Sequence, residues 1–192
     1  MFIETASSPE EEKPEAYAPA VLVHWLFLLA VTAITILVDQ FSKWLVVRNL
    51  EYRESWVFWS LLEGIFDFTY TRNTGAAFGM GQEFSNVFLI VAFIVTGVII
   101  YYHRQLPADM WIVRAALGLM MGGAIGNAID RILRGYVVDF LHLHGWPIFN
   151  LADSAIVIGV AAWVVVLWWQ ERQENAARPG RTEASEESSE PS

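Results

Sequence analysis

The sequence predicts a membrane α-helical protein: four transmembrane helices with a small extracytoplasmic β-sheet between helices 1 and 2. Three observations carry that reading. Of the 192 residues, 55% are hydrophobic and 17% charged, with a mean hydropathy of +0.38, a balance that suits a bilayer. Four apolar runs approach the roughly 20 residues that a helix needs to cross about 30 Å of hydrocarbon. None of them alternates as barrel strands do, and only helices or closed barrels satisfy every backbone group in lipid.

The chain divides into an acidic N-terminal tail over 1–19, a membrane unit over 20–170 and a C-terminal tail over 171–192. The net charge of -9 is concentrated in the tails, which leave ten acidic and eight basic residues in the membrane unit. The tails are rich in Glu, Pro and Ser and are expected to be disordered, because they bury too little apolar surface to offset ordering entropy. No basic patch of the kind that neutralises phosphates is present, which argues against nucleic-acid binding. The sequence contains no Cys, which removes disulfides, thiolate nucleophiles and thiolate metal sites. The N-terminus lacks the basic start of a cleavable signal peptide, so the first apolar segment is expected to be retained.

Helix 1 is expected over 21–38, helix 2 over 86–102, helix 3 over 111–129 and helix 4 over 151–169. An up-and-down path gathers Trp25, Tyr101, Tyr102, Trp111, Trp168 and Trp169 near one membrane surface, where amphipathic rings are favoured. Six Lys/Arg fall on each side of this topology, so the charge count does not orient it. The short connection containing Arg104 points to both termini in the cytoplasm. The connections 40–85 and 131–150 then face outward. The first carries Trp56-Val57-Phe58-Trp59 and Ile65-Phe66-Asp67-Phe68-Thr69-Tyr70, a pattern suited to strands against headgroups. In the second, Tyr136-Val137-Val138-Asp139-Phe140 reads as a short strand or the start of another helix.

Polar side chains in a transmembrane frame cost about 2.5 to 3.5 kcal/mol each at the membrane centre, so their placement needs a reason. Helix 1 ends in Asp39-Gln40-Phe41-Ser42-Lys43, helix 3 in Asn127-Ala128-Ile129-Asp130-Arg131, and helix 4 begins at Asn150-Leu151-Ala152-Asp153. Parity of the crossings puts all three on one surface. Gly118, Gly122 and Gly126 form a small-residue stripe for close helix approach. Gly123, Asn127 and Asp130 lie on a neighbouring face, along which a substrate helix is expected to rest. Asp39 and Lys43 have the i, i+4 spacing of an ion pair, either structural or substrate-holding. Asn73-Thr74-Gly75-Ala76-Ala77-Phe78 reads as a tight loop with one amide.

Two carboxylates sharing one proton can hydrolyse an amide, the ionised one taking a proton from water while the other donates to the substrate. Asp130, Asp139 and Asp153 are the candidates. Arg131 beside Asp130 supplies a cation, so Asp130 reads as a structural or orienting acid. Asp139 stands among Val137, Val138, Phe140 and Leu141, surroundings that raise a carboxyl pKa. Asp153 begins helix 4, where the helix dipole favours negative charge and Asn150 can bond it; a helix cap is the plainer reading. Asp139, His142 and His144 are a rival metal set, but on a strand the two histidines share one face and Asp139 points to the other. Ser42 and Lys43 point to different helix faces, which argues against a nucleophile–base dyad. A proton-coupled carrier, with carboxylates along a path through both leaflets, and a non-catalytic binding scaffold are the readings from other classes.

Five segments in order resemble the motifs of the bacterial lipoprotein signal peptidases, or signal peptidase II. They are Asp39 to Lys43, Asn73 to Phe78, Gly122 to Arg131, Val137 to Phe140, and Phe149-Asn150-Leu151-Ala152-Asp153-Ser154. The resemblance spans about 22–169 and implies an aspartic endopeptidase of the bacterial cytoplasmic (inner) membrane, without cofactor or metal. It implies cleavage of the signal peptide from diacylglyceryl-modified prolipoproteins on the N-terminal side of the lipidated Cys, near the extracytoplasmic surface. By motif position the catalytic pair falls on Asp139 and Asp153. Asp39, Lys43, Asn73, Gly123, Asn127, Arg131, Asn150 and Ala152 fall on positions that line or stabilise the substrate pocket. The expected partners are prolipoprotein substrates and membrane lipids, with the enzyme acting as a monomer.

Overall fold

The computed structural model describes residues 21–75 and 83–177. The chain order is α1 (Leu22–Asn49), β1 (Ser55–Trp56), a short 3-10 turn (Ser60–Leu62), β2 (Phe66–Asn73), α2 (Glu83–His103), α3 (Trp111–Arg134), β3 (Val137–Leu143) and α4 (Leu151–Ala177). All four helices are long and apolar enough to cross a membrane. The start of α1, the end of α2 and the start of α3 meet at one end: Trp25 lies 4.3 Å from the His103 ring and His24 5.0 Å from Trp111. Tyr102 meets Trp163 of α4 there at 6.1 Å. The up-and-down path and its aromatic end are therefore present.

Helix α3 is the hub. Two thirds (67%) of its spanning window is buried, against 22%, 11% and 17% in α1, α2 and α4. Its glycines explain the close packing. A Cβ on Gly118 would lie 2.8 Å from Val31, and one on Gly122 would lie 2.6 Å from the Thr35 side chain, so this stripe receives α1. Leu28, Ile99, Val113, Leu117 and Met121 fill the space between α1, α2 and α3. Leu26, Leu37, Ile94, Val157 and Val164 project outward, as lipid-facing residues do. Gly135, at φ 77°, ends α3 in the left-handed conformation and returns its N–H to the Arg131 carbonyl.

Three helices outrun the apolar segments that predict them. α1 continues eleven residues past Val38 because Asp39 and Lys43 turn into the bundle while Phe41 and Trp44 face outward. A hydropathy run stops at the first charges, but buried, paired charges do not stop a helix. α3 continues to Arg134, and α4 to Ala177, so 171–177 are helical where a disordered tail was expected. The expectation for 1–19 and the remainder of the C-terminal tail lies outside the described residues.

The sheet differs in membership. It has three antiparallel strands in the order β1-β2-β3, so the connection between α3 and α4 contributes a strand to a sheet expected from the α1–α2 connection alone. β3 resolves the strand-or-helix ambiguity at Tyr136 to Phe140. Around Trp56 to Trp59 only Ser55 and Trp56 are strand. Thr71 pairs with Asp139 and Asn73 with Val137, and a bulge between Phe68 and Thr71 shifts the register. The sheet packs on the end of α1 through Val46, Tyr70, Val138 and Phe140.

Candidate active site

The site lies where the last turns of α1 and α3 meet β3 and the start of α4, and its base is a buried charge cluster. The Lys43 ammonium has three protons and three acceptors: Asp39 Oδ2 at 2.8 Å, Asp130 Oδ2 at 3.0 Å and Asn127 Oδ1 at 2.9 Å. Lys43, Asp39 and Asp130 are fully buried. Asp39 spends its other oxygen on the Ala152 N–H at 3.0 Å, satisfying an orphan donor in the first turn of α4. Asp130 accepts the Val138 N–H at 3.1 Å and so ties β3 to α3. Its second cation is Arg134, one helical turn on, rather than the expected neighbour Arg131, because adjacent helical residues point in different directions.

Above this base the amides relay the order upward. Asn127 accepts from Lys43 and donates to Asp153 Oδ1 at 2.8 Å. Asn150 donates to Asn127 Oδ1 at 3.1 Å and to Asp139 Oδ1 at 2.7 Å. Asn73, at the end of β2, donates to Asp139 Oδ2 at 2.9 Å, and its own oxygen accepts the Gly75 N–H at 2.9 Å. Asp139 and Asp153 therefore share Asn150 as a common neighbour. The antiparallel return makes this possible, since Phe149 pairs with Leu141 and sets Asn150 beside β3 as α4 begins.

The two acids differ in surroundings. Burial pushes the Asp139 carboxyl up to about 6; the Asn73 hydrogen bond opposes that rise and the nearby Asp153 charge adds to it. Asp153 accepts the Asn150 N–H at 3.2 Å while its own N–H bonds Asn150 Oδ1 at 2.9 Å, a reciprocal capping box at the start of α4. The cap reading of Asp153 is thus realised, with the other carboxylate oxygen still turned to Asn127.

Arg131 bonds the Asn127 carbonyl at 3.2 Å and lies 4.8 Å over the Phe88 ring. With Asn127 and Asp153 it forms the polar end of a cavity of about 430 Å³ between α2, α3 and α4, whose apolar walls include Val95, Met120, Ile156 and Val160. The expected substrate face along Gly123 is filled by protein: a Cβ there would lie 2.4 Å from the Ala152 carbonyl oxygen, so Gly123 admits α4. The open groove runs one step round, along Met120, Ala124, Asn127 and Arg131. A second cavity, of about 560 Å³, lies between α1 and the sheet, with neither carboxylate in its lining.

Two contributors escaped the sequence reading. Gln40 donates to Asp39 Oδ2 and the Gly126 carbonyl, both at 3.1 Å, and its neighbour status to Asp39 was the available signal. Arg134 could have been found from its i, i+4 spacing to Asp130. At the opposite end of the bundle His24, His103 and Arg114 are buried. Arg114 bonds the carbonyls of Leu106 and Pro107 at 3.0 and 2.8 Å and so satisfies the chain leaving α2. The apolar Leu28–Leu117–Met121 layer separates this end from the acidic one, which does not suit a proton path through both leaflets. Residues Ala76 to Phe78 of the Asn73 motif lie outside the described residues.

A family model described as signal peptidase (SPase) II matches residues 31–169, most of the chain and all of the described site. The chain belongs to the signal peptidase II family. A lipoprotein signal peptidase of Anoxybacillus flavithermus is 44% identical over 77% of this chain and 88% of its own length. That of Moorella thermoacetica is 43% identical over 74% and 90%. A bacterial membrane enzyme solved by the in meso method at 2.3 Å shares the fold, with a TM-score of 0.69 and 24% identity over 86% of this chain and 98% of that one. As a signal peptidase II, the protein is a multi-pass membrane protein and an aspartic peptidase, of a family that removes signal peptides from lipoproteins.

Proposed function

We propose that the protein removes the signal peptide from diacylglyceryl-modified prolipoproteins, cutting N-terminal to the lipidated Cys, with Asp139 and Asp153 as the catalytic pair. The observation that carries the reading is the bonding of both carboxylates to Asn150, with Asp153 at the polar end of an apolar cavity. In this reading the ionised acid takes a proton from a water molecule, whose oxygen attacks the scissile carbonyl carbon. The protonated acid gives its proton to the carbonyl oxygen. Collapse of the resulting diol breaks the C–N bond as a proton passes to the leaving amine, and the pair returns to a single shared proton. Asp139, pushed up to about 6, is the member better suited to hold that proton.

The apolar walls of the cavity suit a signal helix entering from lipid between α2 and α4. Arg131 is a positioning residue at its polar end, and the Asp39–Lys43–Asp130 base sets Asn127 and hence Asp153. Both termini are assigned to the cytoplasm and the site to the extracytoplasmic surface, where a lipid-anchored substrate presents its cleavage bond. One chain supplies both carboxylates and the whole cavity, which supports a monomeric enzyme with a peptidase unit over 20–170. The test is incubation of the full chain in detergent with a diacylglyceryl lipobox peptide. Asp139→Asn and Asp153→Asn should each abolish cleavage while binding persists; full turnover by either variant refutes the pair.

A further inference from the structure

We propose that Asp67, His142 and His144 form a binding site for a zinc-type divalent transition-metal ion, strapping β2 to β3 on the face of the sheet opposite Asp139. His142 Nδ1 lies 3.1 Å from Asp67 Oδ1, and His144 Nε2 lies 2.7 Å from Asp67 Oδ2. One ligating atom from each of the three residues lies within 4.8 Å of the other two. Four-coordinate zinc with ligands at about 2.0 to 2.1 Å has them about 3.3 Å apart, within the range this cluster spans. Two imidazoles and one carboxylate suit zinc and its neighbours, whereas calcium and magnesium require an oxygen shell. His144 is the most exposed of the three, with 42% of its side chain accessible, which leaves a route for the ion and a fourth position for water.

The backbone holds these ligands in place. Asp67 pairs directly with His142 across the sheet, and the His144 N–H bonds the Ile65 carbonyl at 2.9 Å. His142 and His144, two apart on an extended chain, share a face, and their rings stack at 4.4 Å. A second tier orients the acid: the Thr69 hydroxyl donates to Asp67 Oδ1, and the Ser55 hydroxyl lies 2.7 Å from Thr69 Oγ1. The β2 bulge separates this cluster from the peptidase pair. Asp67 and Asn73 are six residues apart and would share a face on a regular strand. Thr69 and Tyr70 both stand opposite Phe140, so Asp67 joins the histidines while Asn73 joins Asp139. The ion would stiffen the sheet that carries Asp139 without entering the hydrolysis.

The experiment uses the full chain in detergent micelles, free of any His tag and stripped with EDTA, titrated with Zn2+ against a chromophoric chelator. One equivalent should bind, and Co2+ should give the visible d–d absorption of a low-symmetry site with histidine ligands. His144→Gln, at a partly exposed position, and Asp67→Asn should each weaken zinc at least about tenfold. Zinc should raise the Tm of the unsubstituted chain and not that of His144→Gln. If Asp67→Asn does not fold, His144→Gln and His142→Gln decide. Absence of stoichiometric zinc, or an affinity in both histidine variants equal to that of the unsubstituted chain, overturns the site and leaves Asp67 as a plain acceptor for two imidazoles.

Discussion

Asn150 and Asp153 hold each other through two reciprocal bonds, Asn150 N–H to Asp153 Oδ2 at 3.2 Å and Asp153 N–H to Asn150 Oδ1 at 2.9 Å. The Asn150 amide also donates to Asp139 Oδ1 at 2.7 Å. One residue thus starts α4 and sets the spacing of the two acids.

Asn150→Ala is expected to cost about 1 to 2 kcal/mol through the lost cap and to abolish most cleavage. Asn150→Asp keeps a capping oxygen but removes the donor to Asp139 and buries a second carboxyl beside it, so it should be no more stable than the Ala variant and should also lose cleavage. Paired measurements of Tm and peptide cleavage separate the two effects; an active Asn150→Asp enzyme counts against the bridging role.

The raised Asp139 pKa sets a stability cost with a definite sign. The folded chain keeps this proton up to about pH 6, while the unfolded chain releases it near 3.8. Between those values the folded state binds more protons, so stability falls as pH rises through the window and stays lower above it. A rise from 3.8 to about 6 corresponds to about 3 kcal/mol, of which about 1 is offset in Asp139→Asn by one amide donor losing its acceptor. The Asp139→Asn variant should therefore be about 2 kcal/mol more stable than the unsubstituted chain at pH 8. That advantage should vanish below pH 4, as read by unfolding at both pH values.

Lys43→Met should cost about 3 to 5 kcal/mol, because it leaves the buried Asp39 and Asp130 carboxylates facing each other without their cation. Lys43→Arg keeps the charge but offers a planar fork where three acceptors surround a point, so it should recover part of the stability. Thermal scans of detergent-purified protein rank the three chains.

Gly123→Ala places a methyl group 2.4 Å from the Ala152 carbonyl oxygen, which is backbone and cannot swing aside. A loss of about 1 to 3 kcal/mol is expected, along with reduced cleavage, because pushing the start of α4 away displaces Asp153. Gly97→Ala, where a Cβ meets nothing within 4 Å, should be neutral or stabilising by up to about 1 kcal/mol. Equal Tm values for the two variants would contradict the close approach of α3 and α4.

The parts of the site legible in the sequence are those whose position follows from counting. The number of crossings brings Asp39, Asp130 and Asp153 to one surface whatever the packing, and i, i+4 spacing pairs Asp39 with Lys43. Misreadings arose where a side chain had several possible partners. Arg131 is next to Asp130 in the chain, yet Arg134 takes that carboxylate because helical periodicity aligns residues four apart. Gly123 sits beside Asn127 on a helical wheel, yet α4 fills its surface.

Hydrophobicity and length by themselves determined the four spanning helices, their alternating direction and the shared surface of the polar residues, because side-chain transfer into lipid depends on local composition and the backbone of any segment that enters must pair with itself as a helix. Tertiary structure alone decided that β3 completes the sheet, that one bulge sends Asp67 to the histidines and Asn73 to Asp139, and that Asn150 touches both acids. These outcomes depend on register and on which face of each element meets its neighbour, and pairing energies between residues far apart in sequence choose among them only when the chain has folded.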